Sequence, residues 1–218
     1  RDAESAMAEL DKAIAAQPEN AVAWQTKAMI ASAAGDARTS LETVERARDL
    51  DPLSAGILWD RVWFLYVAGQ YKEALAAAQD ARRRAPAVHV YEGLIHLARG
   101  DNEAAFASWL DRAAERGLPL GRTRAIRAIA EASGEREGLR ALAQEAARPG
   151  GYSEVAIPQA ALQAALNETD AAVNTLLTST PREKSWWWSW YAVIPGLEAL
   201  RDDPRLAPLS APPSTAGG

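Results

Sequence analysis

Apolar residues recur along this chain in three- and four-residue steps. Leu41, Val44, Ala47 and Leu50 form one such stripe, and Leu58, Val62 and Leu65 form another. Steps of that size place side chains on one face of an α-helix, so the pattern predicts helices. One stretch goes further. Trp59, Trp63 and Tyr66 follow the same steps on the face opposite Leu58, Val62 and Leu65, leaving this helix apolar nearly all round. A helix exposed along one side does not carry that pattern.

The breaks between helices fall in a regular frame. Pro18, Pro52 and Pro86 are spaced by 34 residues each. Their contexts match: AIAAQP, ARDLDP and ARRRAP. Proline ends a helix because it lacks the N–H and crowds the preceding turn. Gly35, Gly69, Gly100 and Gly134 mark a second register, separated by 34, 31 and 34 residues, and Asn167 follows 33 later. Glycine, or asparagine in its place, lets a helix stop and the chain reverse within a few residues. Small residues such as Ala74, Ala81 and Ala105 would let the paired helices approach closely. A 34-residue period with these marks predicts a series of helix–turn–helix hairpins.

That unit resembles the tetratricopeptide repeat. Trp24, Ala28, Gly35, Ala47 and Pro52 fall where that family carries its Trp, small residue, turn Gly, Ala and Pro. Gly69, Tyr71, Ala74, Ala81 and Pro86 repeat the match, and GQYKEA is close to the family's GDYEEA. Ala6, Leu10, Ala13 and Pro18 fit the second helix of a partial first unit. The resemblance covers roughly residues 2–180. It departs from the pattern after Pro86, where one unit is three residues short and the last two lack terminal prolines. It implies an all-α fold, a right-handed superhelical solenoid of antiparallel hairpins over residues 1–180. About five hairpins are expected, the first partial.

Residues 181–208 leave the frame. They carry Trp186, Trp187, Trp188 and Trp190 followed by Tyr191, and predict a segment that caps the last hairpin, whose apolar face an array leaves open. Three consecutive Trp on a helix cannot all face one way, so cap and partner surface both fit this cluster. LRDDPRL at 200–206 and the preceding LNETDAAVNTLL resemble the closing phrase of tetratricopeptide arrays at the C-terminus of bacterial winged-helix regulators, class III adenylate cyclases and serine/threonine kinases. Leu206 stands where those have Phe. Residues 209–218 are Pro- and Gly-rich and read as a mobile tail.

In the tetratricopeptide family the first helix of each hairpin lines the concave face. Carried onto this register, that face comprises Gln25, Thr26 and Met29, then Trp59, Asp60, Trp63 and Tyr66, then Tyr91 and Leu94, then Arg124. Two arrangements fit the aromatic residues. They form an anchor surface for an extended or helical peptide, or the array buries them internally. Members of the family that clamp a C-terminal carboxylate use Lys and Asn on these faces. Here Gln25, Met29, Trp59 and Trp63 stand instead, and Asp60 has the wrong charge, so carboxylate recognition is not expected.

Composition narrows the remaining choices. A net charge of -5, from 29 acidic and 24 basic residues, gives no general attraction to nucleic acid or anionic lipid. No apolar run reaches the roughly 18 residues that span a membrane. With no cysteine, disulfides, thiolate metal sites and thiol nucleophiles are excluded. His89 and His96 lie two turns apart, about 10 Å along a helix, too far for one metal. No phosphate loop, nucleophile elbow or zinc-protease motif is present. Arg82–Arg84 suit a helix C-terminus. Arg122, Arg124 and Arg127 lack the interleaved aromatics of a nucleic-acid surface.

The chain therefore reads as a non-catalytic module for a protein or peptide partner, with no cofactor or metal and no direct nucleic-acid or membrane binding. The alternative is the ligand-sensing region of a bacterial regulator whose effector domain lies upstream. The opening RDAESAMAELDKAIAAQ is interrupted by charge, unlike a signal peptide, and reads as mid-repeat. A cytoplasmic location is expected, or a periplasmic one if an upstream segment anchors the chain.

Overall fold

The computed structural model describes residues 3–84, 89–148, 155–180 and 190–207. Among them eleven α-helices and no strand occur. In order these are α1 (Ala3–Ala16), α2 (Ala21–Ala33), α3 (Ala37–Leu50), α4 (Ala55–Val67), α5 (Tyr71–Ala81), α6 (His89–Ala98), α7 (Asn102–Glu115), α8 (Leu120–Ser133), α9 (Glu135–Ala146), α10 (Ala156–Ala165) and α11 (Thr169–Thr178). The chain divides into two compact units, residues 1–95 and 96–218. Within the first, each helix from α1 to α4 packs on the next. Within the second, the same holds from α7 to α10.

The turns explain the frame. Gly35, Gly69, Gly100 and Asn167 have φ of 79°, 73°, 74° and 65°. After each, the following N–H donates to the carbonyl five residues back: Asp36 to Ala31, Gln70 to Leu65, Asp101 to His96 and Glu168 to Gln163, all at 2.9–3.0 Å. A left-handed residue followed by this bond satisfies carbonyls that a helix end would leave open. Asp36 and Asp101 then face forward, their carboxylates accepting from the backbone N–H of Thr39 and Ala104. One short turn thus stops a helix and caps the next. Gly134 falls in the same register with a different conformation, φ 93° and ψ 159°. It is a one-residue joint between α8 and α9, in a region that essentially only glycine enters.

Pro18 and Pro52 stand two residues past the ends of α1 and α3, and Pro86 lies outside the described residues. Trp24 donates its indole N–H to the Pro18 carbonyl at 2.9 Å, tying the end of one hairpin to the start of the next. Ala28, Ala47, Ala74, Ala81 and Ala105 are all fully buried.

The second unit has its own close contact, where α7 packs on α9. A Cβ on Gly138 would sit 2.6 Å from the Phe106 ring and 2.7 Å from the Ala130 methyl, so only glycine fits. Arg140 spans two hairpins, pairing with Glu137 on its own helix and with Glu168 before α11 at 2.9 Å. Gln159 donates to the Ala143 carbonyl at 2.8 Å. Residues 190–207 fold into short 3-10 turns, the last of which meets α11. Trp190, Tyr191 and Leu206 are buried there, the Tyr191 hydroxyl donating to the Leu200 carbonyl at 2.9 Å. Arg205 pairs with Asp170 and Asp203. Trp186, Trp187, Trp188 and residues 209–218 lie outside the described residues.

Candidate functional site

The site is built on the first helices of two successive hairpins, α2 and α4, which touch directly. Asn20 caps α2 by accepting from the Val22 and Ala23 N–H groups, and Ser54 caps α4 by accepting from Ile57. These caps fix where each helix starts and so which residues share a face. Gln25 and Met29 are one turn apart on α2, and both are half-buried. Across the helix pair, the Gln25 amide donates to the Asp60 Oδ2 at 2.7 Å. Trp59, beside Asp60, is also half-buried.

Behind this row lies an aromatic cluster. Trp59 and Tyr91 meet edge to face with ring centroids 4.7 Å apart. Trp63 contacts Tyr91 at 5.1 Å and Tyr66 at 5.6 Å, and Tyr66 reaches Tyr71 at 6.1 Å. Trp63, Tyr66, Tyr91 and Leu94 are only 2%, 1%, 3% and 1% exposed. Of the two arrangements open to these residues, internal burial is the one present; as parts of a partner-facing surface they are corrected. The physical reason is that α4 is covered on both its stripes: Leu58, Val62 and Leu65 are buried as well. Trp59 alone of Trp59, Trp63, Tyr66 and Tyr91 stays partly accessible. Arg124 belongs to the second unit, exposed on α8 without an acidic partner among the described residues.

Asp60 is electrostatically unlike its peers. Burial pushes its carboxyl up to about 6, against the opposing effect of the Gln25 hydrogen bond. Elsewhere among the described residues, sheltered carboxylates have a basic side chain beside them. Glu45 lies 2.6 Å from Arg61, Glu92 2.7 Å from Arg82, and Glu145 3.0 Å from Arg148. Arg140 serves Glu137 and Glu168, Arg205 serves Asp203, and His96 faces Asp101 at 3.6 Å. Among the described residues, Asp60 has only the neutral Gln25 amide.

The sequence placed Gln25 and Asp60 on the same kind of face but did not reveal their bond. Their spacing of 35 residues, one repeat plus one, is the signal that was available. Tyr71, a mark of the repeat frame, also meets Tyr66, a contact that its place in the frame does not encode. The His89 side chain lies outside the described residues. No helix among the described residues is long and apolar enough to cross a membrane. No protein-family model matches the chain, and no curated protein matches it.

Proposed function

We propose that this chain is a non-catalytic binding module, a tetratricopeptide-like array that holds a peptide segment of a protein partner on the α2–α4 face. The observation that carries this reading is the half-buried row of Gln25, Met29, Trp59 and Asp60 on adjoining first helices. A partly accessible Trp, held by an edge-to-face contact with Tyr91, is a rigid anchor of the kind that dominates peptide interfaces. The deeper rings set the shape of that anchor and do not meet the partner. In the proposed array the hairpins stack as a right-handed solenoid, closed at its end by the Trp-rich segment.

A phage-displayed library of 12-residue peptides, selected on the native chain, tests the proposal. Selected peptides are expected to bind at least tenfold more weakly to Trp59→Ala, with the thermal midpoint of the variant checked alongside. Selection that enriches no peptide, or peptides that bind Trp59→Ala equally well, would overturn it.

A further inference from the structure

The chemistry of the partner can be narrowed from Asp60, the one sheltered carboxylate among the described residues with no basic side chain beside it. We propose that Asp60, Gln25 and Trp59 form a seat for a basic side chain, lysine or arginine, of the bound peptide. This inference rests on reading the α2–α4 face as the peptide-binding surface.

Three observations support it. The first is the charge left uncompensated. Other sheltered carboxylates, such as Glu45 beside Arg61 and Glu92 beside Arg82, are neutralised within the chain. Asp60 has no Arg, Lys or His partner among the described residues, and burial, not a neighbouring charge, raises its pKa. A cation arriving from outside would favour the ionised form that burial now opposes. The second is the orientation of the amide. Gln25 donates through Nε2 to Oδ2, which holds the carboxylate in place while placing no charge beside it. The carboxylate keeps acceptor capacity for a charge-assisted bond.

The third is the neighbouring ring. Trp59 is half-buried and held by Tyr91 at 66° between planes, and tryptophan is the best side-chain partner for a cation over its face. A lysine or arginine has an apolar stem to lie along the indole and a charged head for the carboxylate. The chain's net charge of -5 also favours approach by a basic segment. An acidic segment, by contrast, would bring like charge to Asp60.

The same peptide selection tests this without any variant: enriched sequences are expected to share a lysine or arginine at one position. Each enriched peptide is then compared by calorimetry with a copy carrying glutamine there. On the native chain the glutamine copy is expected to bind at least tenfold more weakly. On Asp60→Asn, which keeps the shape and the Gln25 contact, the two copies are expected to bind within twofold of each other. Enrichment with no shared basic position would overturn the seat, as would an undiminished preference for the basic copy on Asp60→Asn. If Trp59→Ala abolishes binding while either of those results is obtained, the binding face stands and only its cationic chemistry falls.

Discussion

Helices α4 and α8 occupy equivalent places, each the first helix of its hairpin, and they are built in opposite ways. In α4 seven of 13 residues are buried, Trp63, Phe64 and Tyr66 among them. In α8 only Ile126 and Ala130 are buried out of 14. Leu120 and Ile129 on α8 are 65% and 41% exposed. Arg124 and Arg127 have no acidic partner among the described residues, although Arg122 lies 3.5 Å from Glu145. Both helices nevertheless lead into a second helix through a glycine in the same register. The hairpin is therefore specified by its turn and by the small residues between paired helices. The first helix is left free to differ in how much of it is buried.

The largest expected effect separates these two helices. Trp63→Ala removes a fully enclosed ring and is expected to cost about 3–5 kcal/mol of stability. Ile129→Ala on α8 should change it by about 0.5 kcal/mol or less. Urea titration of both variants checks the contrast, and similar losses would mean that α8 is as deeply packed as α4.

A second experiment sharpens the comparison through charge. The folded chain holds the Asp60 proton at about 6, whereas an unfolded Asp releases it near 4. The folded state therefore binds more protons between those values. Asp60 contributes most to stability below about pH 4, and that contribution is lost as pH rises through about 6. The stability of Asp60→Asn relative to the native chain should improve by on the order of 2 kcal/mol between pH 4 and pH 7. A difference that stays constant with pH would mean that Asp60 titrates like an exposed Asp.

The smallest effect concerns how the α8 hairpin is held. Gly138→Ala places a methyl against Phe106 and Ala130 and is expected to destabilise by about 1–2 kcal/mol. Overpacking there outweighs the gain of roughly 1 kcal/mol that alanine brings to a helix. Calorimetric melting checks the sign. A stabilised variant would show that α7 and α9 can move apart at no cost.

The parts of this architecture readable in advance were those that depend on the backbone. A left-handed φ is open to few residue types, so Gly35, Gly69, Gly100 and Asn167 declare their turns. Gly134 declared a turn but not its shape, since glycine accepts φ 93° and ψ 159° as readily as the left-handed form. Side-chain fate was less accessible. The steps from Trp59 to Trp63 to Tyr66 define an apolar stripe, but nothing in them says that Tyr91 will come to cover it. The Gln25–Asp60 bond depends on the lateral offset of two helices, which local periodicity does not encode. That no described residue gives Asp60 a basic partner follows only from what every neighbouring helix brings beside it.

The turn bond that joins each post-turn N–H to the carbonyl five residues back has a genetic consequence. It is made entirely within six consecutive residues, so a hairpin carries its own instruction to reverse. Gain or loss of 34 codons would leave the remaining reversals intact and change the chain by a whole hairpin. What such an event would disturb are ties that cross from one hairpin to the next, among them Trp24 to the Pro18 carbonyl, Gln25 to Asp60, Arg61 to Glu45, Arg140 to Glu168 and Gln159 to the Ala143 carbonyl. Crossing ties of this kind, not the turns, are where a change in repeat number would have to be repaired.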